Sequence, residues 1–185
     1  MGLNNSIDRY QETRFQAFTD EVLRIEGGYV NDKDDPGGET NHGITKRLAR
    51  AHGYSGRMID MTKDEAKEIY RKEFWNASIA SNILHDAAFH IYLLAIHSGH
   101  RQATVILQRA LGLHADGIAG IDTLNAISNA SSSLMIEALC YRTLDFYVSI
   151  SPKTRYKYIQ GWRNRLLSSR NIDWKKRIKE YETDY

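Results

Sequence analysis

The stretch Glu26-Gly27-Gly28-Tyr29-Val30-Asn31-Asp32-Lys33-Asp34-Asp35-Pro36-Gly37-Gly38-Glu39-Thr40-Asn41-His42-Gly43-Ile44-Thr45 joins a helical pattern to a turn-rich lobe. Just before it, Phe15, Phe18, Val22 and Ile25 recur at i, i+3, i+7 and i+10, one face of a helix near residues 11–26. Gly27-Gly28 ends that helix. Asp35-Pro36-Gly37-Gly38 is a strong turn signal, with Tyr29-Val30 and Gly43-Ile44-Thr45 as short strands around it. A small β-lobe over 27–45 is therefore expected.

Further along, the chain reads as helix after helix. Thr45 is placed to cap a helix through about residue 53. Thr62-Lys63-Asp64-Glu65 is a capping box that opens a helix to about Trp75, with Ala66, Ile69, Tyr70 and Phe74 inward. Asp86–His97 is largely apolar and reads as a buried central helix. Arg101–Leu111 is a helix ended by Gly112, Thr123–Asn129 a short one, and Ser131 or Ser132 caps a longer one to about Val148. Ser151-Pro152 breaks the pattern, after which Tyr156–Ser168 and Trp174–Tyr181 look helical. The expected fold class is mainly α, helical with a small β-lobe.

Composition narrows the function classes. The chain has 185 residues, of which 42% are hydrophobic, enough to bury a core and to argue against wholesale disorder. No apolar run approaches the roughly 20 residues of a membrane-spanning helix, and no secretory leader pattern is visible at the start. Cys140 is the sole cysteine, which excludes an intrachain disulfide and a multi-thiolate zinc site. Asp32-x-Asp34 hints at a calcium loop, but Pro36 takes the third ligand position. There is no His-Glu-x-x-His pair, phosphate-binding loop or nucleophile elbow, so neither metal nor cofactor is expected. Residues 1–100 carry net −3 and residues 101–185 net +5. Lys153–Lys179 holds ten Lys/Arg against Asp173 alone, a solvated helix face or a surface for a polyanion. No zinc-finger or helix-turn-helix signature accompanies it, so nucleic acid is not the expected partner.

The chemistry concentrates at Glu26. A carboxyl ending an amphipathic helix is partly desolvated and lies near the negative end of the helix dipole. Both effects favour its protonated form, as a general acid requires. The loop beyond it carries Asp32, Asp34, Asp35 and Glu39 in a wetter setting where carboxylates stay ionised. Two carboxyl groups pushed apart in pKa meet the requirement for glycoside cleavage. The residues alone leave the second carboxylate open among the loop acids, with Asp32, Asp34 and Asp35 all candidates. His42 is a candidate substrate contact, and Tyr29, Trp75 and Trp162 are aromatics suited to lining a saccharide groove.

These residues resemble a known family. Glu26, eight residues, Asp35, four residues and Thr40 approach the Glu/Asp/Thr spacing of phage-type lysozymes, one residue short in the second gap. Glu26-Gly27-Gly28-Tyr29, Asp35-Pro36-Gly37-Gly38, Thr40 and Gly43-Ile44-Thr45 are more closely similar to glycoside hydrolase family 108. These are N-acetylmuramidases of phage endolysins and prophage-like secretion activator proteins. Glu65-Ala66, Ile69-Tyr70 and Phe74-Trp75 resemble that family's next helix. Leu107-Gln108-Arg109-Ala110-Leu111-Gly112, Asp116-Gly117-Ile118-Ala119-Gly120 and Thr123-Leu124 are similar to its peptidoglycan-binding-type C-terminal region, as is Gly161-Trp162-Arg163-Asn164-Arg165 to its late Gly-Trp segment.

The resemblance implies a lysozyme-like fold. Residues 1–100 would form the catalytic part and residues 101–185 a helical part packed on it, with a cleft between. It implies cleavage of the β-1,4 bond between N-acetylmuramic acid and N-acetylglucosamine, with Glu26, Asp35 and Thr40 as catalytic residues. Tyr29, Asp32, Asp34, His42, Thr45, His97 and Trp162 would contact substrate. The partner would be peptidoglycan. Such a protein is made in the cytoplasm, leaves through a holin-type pore or on lysis, and acts at the periplasmic or extracellular wall. One departure stands out: Leu93 and His97 occupy places where the family commonly has Asp and Asn. The alternative reading is thus a catalytically weak or inactive peptidoglycan-binding protein.

Overall fold

A computed structural model describes residues 2–31, 38–83, 86–150 and 173, 176, 178 and 179. Asp32, Asp34, Asp35, His85, Trp162, Trp174 and the two C-terminal helices expected at 156–168 and 174–181 lie wholly or largely outside these. The fold is mainly α-helical with one small antiparallel sheet. The chain divides into two compact units, Met1–Asn76 and Ala77–Tyr185. The helices on either side of residue 100 belong to the same compact unit.

The first unit is built on α1 (Gly2–Glu26). Phe15, Phe18 and Val22 are buried along it as the spacing predicts, together with Ala17 and Leu23, whereas Ile25 is only half-buried. The helix starts well before residue 11, and polar contacts brace it around residues 9–16. Gln16 donates to Glu12 across one turn (2.8 Å), Thr13 to the Arg9 carbonyl (3.0 Å), and Arg71 reaches Glu12 at 2.7 Å. Gly27 takes φ +78°, the left-handed position that closes a helix C-terminus.

After the sheet, β1 (Thr40–Asn41) and β2 (Ile44–Thr45), come α2 (Lys46–Ala51) and α3 (Lys63–Tyr70). Thr45 caps α2 by accepting from the Leu48 amide, and the Thr62/Glu65 capping box opens α3 as expected. Helix α3 does not run on to Trp75 as an α-helix; it widens into a π turn over Arg71–Trp75. That turn seats Trp75 in the core, its ring 5.9 Å from Phe15 and 5.8 Å from Phe18. The buried Arg14 guanidinium stacks near the Phe18 and Trp75 rings, so Trp75 is core and not groove lining. Lys67 ties α3 to α1 through Gln16 (2.9 Å) and Asp20 (2.6 Å).

The second unit centres on α4 (Ala87–Ser98), buried without a break from Ala87 to Ala95. It packs against α5 (His100–Ala110) and α7 (Ser132–Ser149). Gly99, at φ +79°, turns α4 directly into α5. On α7, Met135, Leu139, Thr143 and Tyr147 form the inward stripe, and Cys140 is a small buried residue beside it. The short α6 (Ile121–Asn129), with Gly120 at its N-cap, starts two residues earlier than the expected Thr123–Asn129. Thr123 sits inside the first turn, where its hydroxyl accepts from Gln108 (3.3 Å).

Candidate active site

In the first unit, Glu26 is the last residue of α1 and is half-buried. The segment it faces is the hairpin. Val30 and Thr40 exchange two backbone hydrogen bonds of 2.8 Å each, and Thr40↔Thr45 and Asn41↔Ile44 pair across β1 and β2. The connecting residues His42 and Gly43 have φ 51° and 75°, the two left-handed positions a tight type I′ hairpin turn demands. His42 tolerates this because its ring is anchored. The Met61 carbonyl can only accept, so the imidazole Nε2–H donates to it (3.2 Å). Asn41, buried, donates to the Met58 carbonyl (2.7 Å). Ile44 is fully buried. The hairpin is thus clipped to the 58–61 segment on one side.

On its other side it meets Glu26 and Tyr70. A Cβ on Gly43 would lie 2.9 Å from Glu26 Cγ, 3.0 Å from Glu26 Cβ and 2.5 Å from the Tyr70 hydroxyl. That hydroxyl donates to the His42 carbonyl (3.0 Å). Thr40 donates its hydroxyl proton to the Gly38 carbonyl (3.1 Å), which leaves the oxygen's lone pairs to accept. The neighbouring Glu39 is fully engaged: Tyr29 donates to one oxygen (3.0 Å) and Lys46 to the other (2.8 Å). Lys46, then Tyr29, hold the Glu39 carboxyl below its usual range, so it stays ionised. Partial loss of solvent and then Glu39 push the Tyr29 hydroxyl up.

Of the residues singled out from sequence, Glu26, Tyr29, Thr40, His42 and Thr45 belong to this unit. Tyr29 is 37% exposed, bound to Glu39. The His42 ring is turned to Met61 and the Thr45 hydroxyl caps α2. His97 lies half-buried in the last turn of α4, and Leu93 is buried in the same helix, both in the second unit. Among the described residues no group of three or more His, Cys, Asp or Glu is arranged to hold a metal ion. Sequence reasoning took Tyr70 for a core residue only. Its hydroxyl is what the apolar spacing could not reveal; Gly43, expected at the start of a strand, is instead a positive-φ turn residue before β2, and Val30 makes a single bridge to Thr40.

The other motif, around Asp116-Gly117, closes on itself. Gln108, buried on α5, donates to Asp116 (2.8 Å) and the Ile118 carbonyl (3.0 Å) and accepts from the Gly117 amide (2.8 Å). Asp116 also accepts from the Ile118 amide (2.8 Å), and Arg101 donates to the Asp116 carbonyl (3.0 Å).

The chain was compared with known proteins. Residues 19–99 match the family Glycosyl hydrolase 108 and residues 102–167 match the Predicted Peptidoglycan domain. No curated protein matches. The solved structure of SagA from Brucella abortus is similar at 31% identity and a TM-score of 0.74, covering 84% of this chain and 91% of that one. The Glu26–Thr45 stretch lies wholly within the first matched segment, and the Gln108–Thr123 stretch within the second. The chain therefore belongs to the glycosyl hydrolase 108 family, with a peptidoglycan domain after the hydrolase segment, and its role is that of a peptidoglycan-cleaving or peptidoglycan-binding protein.

Proposed function

We propose that the protein is an N-acetylmuramidase of the endolysin type. It would cleave the β-1,4 bond between N-acetylmuramic acid and N-acetylglucosamine, with Glu26 as general acid. The observation that carries this reading is the seating of Glu26. It ends α1 half-buried, its methylenes against Gly43 of the hairpin that also presents Thr40. Protonated Glu26 gives its proton to the bridging oxygen as the bond from that oxygen to C1 breaks, and positive charge develops on the sugar. Water attacks C1 from the opposite face and passes a proton to the second carboxylate, which we assign to Asp35. Thr40, its own proton committed to Gly38, accepts a hydrogen bond from that water and turns the water's oxygen toward the sugar. The outcome is inversion at C1. Solvent then reprotonates Glu26 and takes the proton from Asp35. Glu39 does not compete for the second role, because Tyr29 and Lys46 occupy both its oxygens.

A second reading has its own support. Leu93 is buried in α4 at a place where the family commonly has an Asp, which favours a binding protein of little activity. Mass spectrometry of digested peptidoglycan separates the two. New reducing ends on N-acetylmuramic acid, absent with Glu26→Gln, support the muramidase. Binding to sacculi with no fragments released supports the second reading.

A further inference from the structure

We propose that Tyr70 is a positioning residue for the Glu26 carboxyl, acting through the His42–Gly43 turn. The inference rests on the reading of Glu26 as the acid and extends it to what holds the acid in place. Three groups converge on one point, the space a Gly43 side chain would fill. Tyr70 Oη lies 2.5 Å from that point, Glu26 Cγ 2.9 Å and Glu26 Cβ 3.0 Å. The Tyr70 oxygen and Glu26 Cγ are therefore at most about 5.4 Å apart. Only a glycine, at φ 75°, admits both neighbours.

Tyr70 is itself immobilised. It is fully buried at the end of α3, whose start is set by the Thr62/Glu65 capping box. The π turn that follows it locks Trp75 against Phe15 and Phe18 of α1, the helix that ends in Glu26. Its hydroxyl, buried and needing a partner, donates to the His42 carbonyl. A phenylalanine would fill the same volume and leave that carbonyl without its donor. The turn would then be free to move away from Glu26, whose Cβ–Cγ bond it now backs. A carboxyl displaced by a fraction of an ångström from the bridging oxygen loses rate with little loss of binding.

The test uses the full chain and compares Tyr70→Phe, Gly43→Ala, Glu26→Gln and Ile69→Val. The last perturbs the buried face of α3 next door and serves as the packing control. Folding is checked by circular dichroism. For Tyr70→Phe we expect kcat to fall roughly ten- to a hundred-fold with KM within about twofold. The limb of the pH profile set by the acid should move, as should the Glu26 titration followed by NMR with 13C-labelled glutamate. Gly43→Ala, which keeps the Tyr70 hydroxyl, should give the same pattern. Ile69→Val should change melting temperature without moving the limb. The proposal is overturned if Tyr70→Phe keeps wild-type kcat, limb and Glu26 titration while Glu26→Gln is inactive. If Glu26→Gln retains full activity, it is the acid assignment that fails. In that event the NMR titration alone judges whether Tyr70 holds Glu26.

Discussion

The turns at 27–45 and 113–120 are alike in composition, both rich in glycine and aspartate, yet they differ in where their polar groups go. Around 113–120 the inventory closes on itself: Gln108, Asp116, Gly117, Ile118 and Arg101 satisfy one another. Beside the exposed His114 and Asp116, the turn shows solvent Ile118 and, just beyond, Ile121, each 68% exposed. Around 27–45 the hydrogen bonds of Asn41, His42 and Tyr70 hold a hairpin down, and that hairpin backs a carboxyl. Thr40 keeps lone pairs to offer. One turn bonds chiefly to itself; the other is scaffold arranged about the carboxyl we propose as the acid. Composition does not separate them, whereas the destination of each hydrogen bond does.

The widest separation between the two is expected from Glu26→Gln. Removing the proton should lower turnover roughly 10²–10⁴-fold, the usual range for general acid catalysis, with little change in unfolding midpoint. Release of reducing ends from sacculi, alongside a urea titration, reads both quantities. Turnover within twofold of wild type would mean that the hairpin is scaffold too.

Gln108→Ala should behave in the opposite sense. It removes a buried amide with three donor contacts and one acceptor contact, and strands the Gly117 amide. The expected cost is about 2–4 kcal/mol, since unsatisfied buried groups carry their full desolvation penalty. Urea denaturation gives the figure. Hydrolysis of small soluble fragments, normalised to folded protein, should remain near wild type.

The second unit should also be the more acid-sensitive. His90, buried in α4, has its pKa pushed down to about 4 by burial. Unfolded, it would titrate near 6.5. The stability held by the neutral ring is complete above pH 6.5 and is lost as pH falls from there toward 4, after which the loss levels off. Up to about 3 kcal/mol is at stake, at about 1.4 kcal/mol per pKa unit. Hydrogen exchange between pH 7 and 4.5 should show α4 amides losing protection, and His90→Leu should flatten that dependence. Identical pH curves for the two proteins would discount His90.

Much of this was legible in the residues, for physical reasons that differ from place to place. The Glu26-Gly27 helix end, the Thr62/Glu65 box and the 27–45 lobe are encoded locally, by a glycine that must turn left-handed and by side chains that bond their own backbone. The first turns of α1 were passed over although Leu3, Ile7 and Tyr10 recur at i, i+4 and i+7, because the Asn4-Asn5-Ser6 run between them favours turns over helix. The π turn at Arg71–Trp75 was hidden because the same apolar residues would also suit a continued α-helix. In the candidate site, Glu26 was singled out by its place at the end of an amphipathic helix and Thr40 by the family resemblance. Tyr70 was ranked as core because a buried phenol and a buried phenyl have the same hydropathic signature. The bond of Thr123 to Gln108 was not legible, because the two are fifteen residues apart in sequence.

The smallest effect tests how the 113–120 turn holds together. The Ile118 amide, then Gln108, keep the Asp116 carboxyl below its usual range. Its contribution is therefore present above the ordinary aspartate pKa and is lost as pH falls through the lowered value. Asp116→Asn retains an oxygen that can accept from the Ile118 amide and Gln108 but has no charge to lose. The mutant should melt slightly lower than wild type at pH 6 and lose less between pH 5 and pH 3. Because Asp116 sits at the surface, solvent screens the difference and 0.5 M salt should shrink it further. If both proteins track together through the acid range, the charge on Asp116 is incidental. Neutral hydrogen bonds centred on Gln108 then suffice to order the turn, as the neutral bonds from Asn41 and Tyr70 help to do for the hairpin.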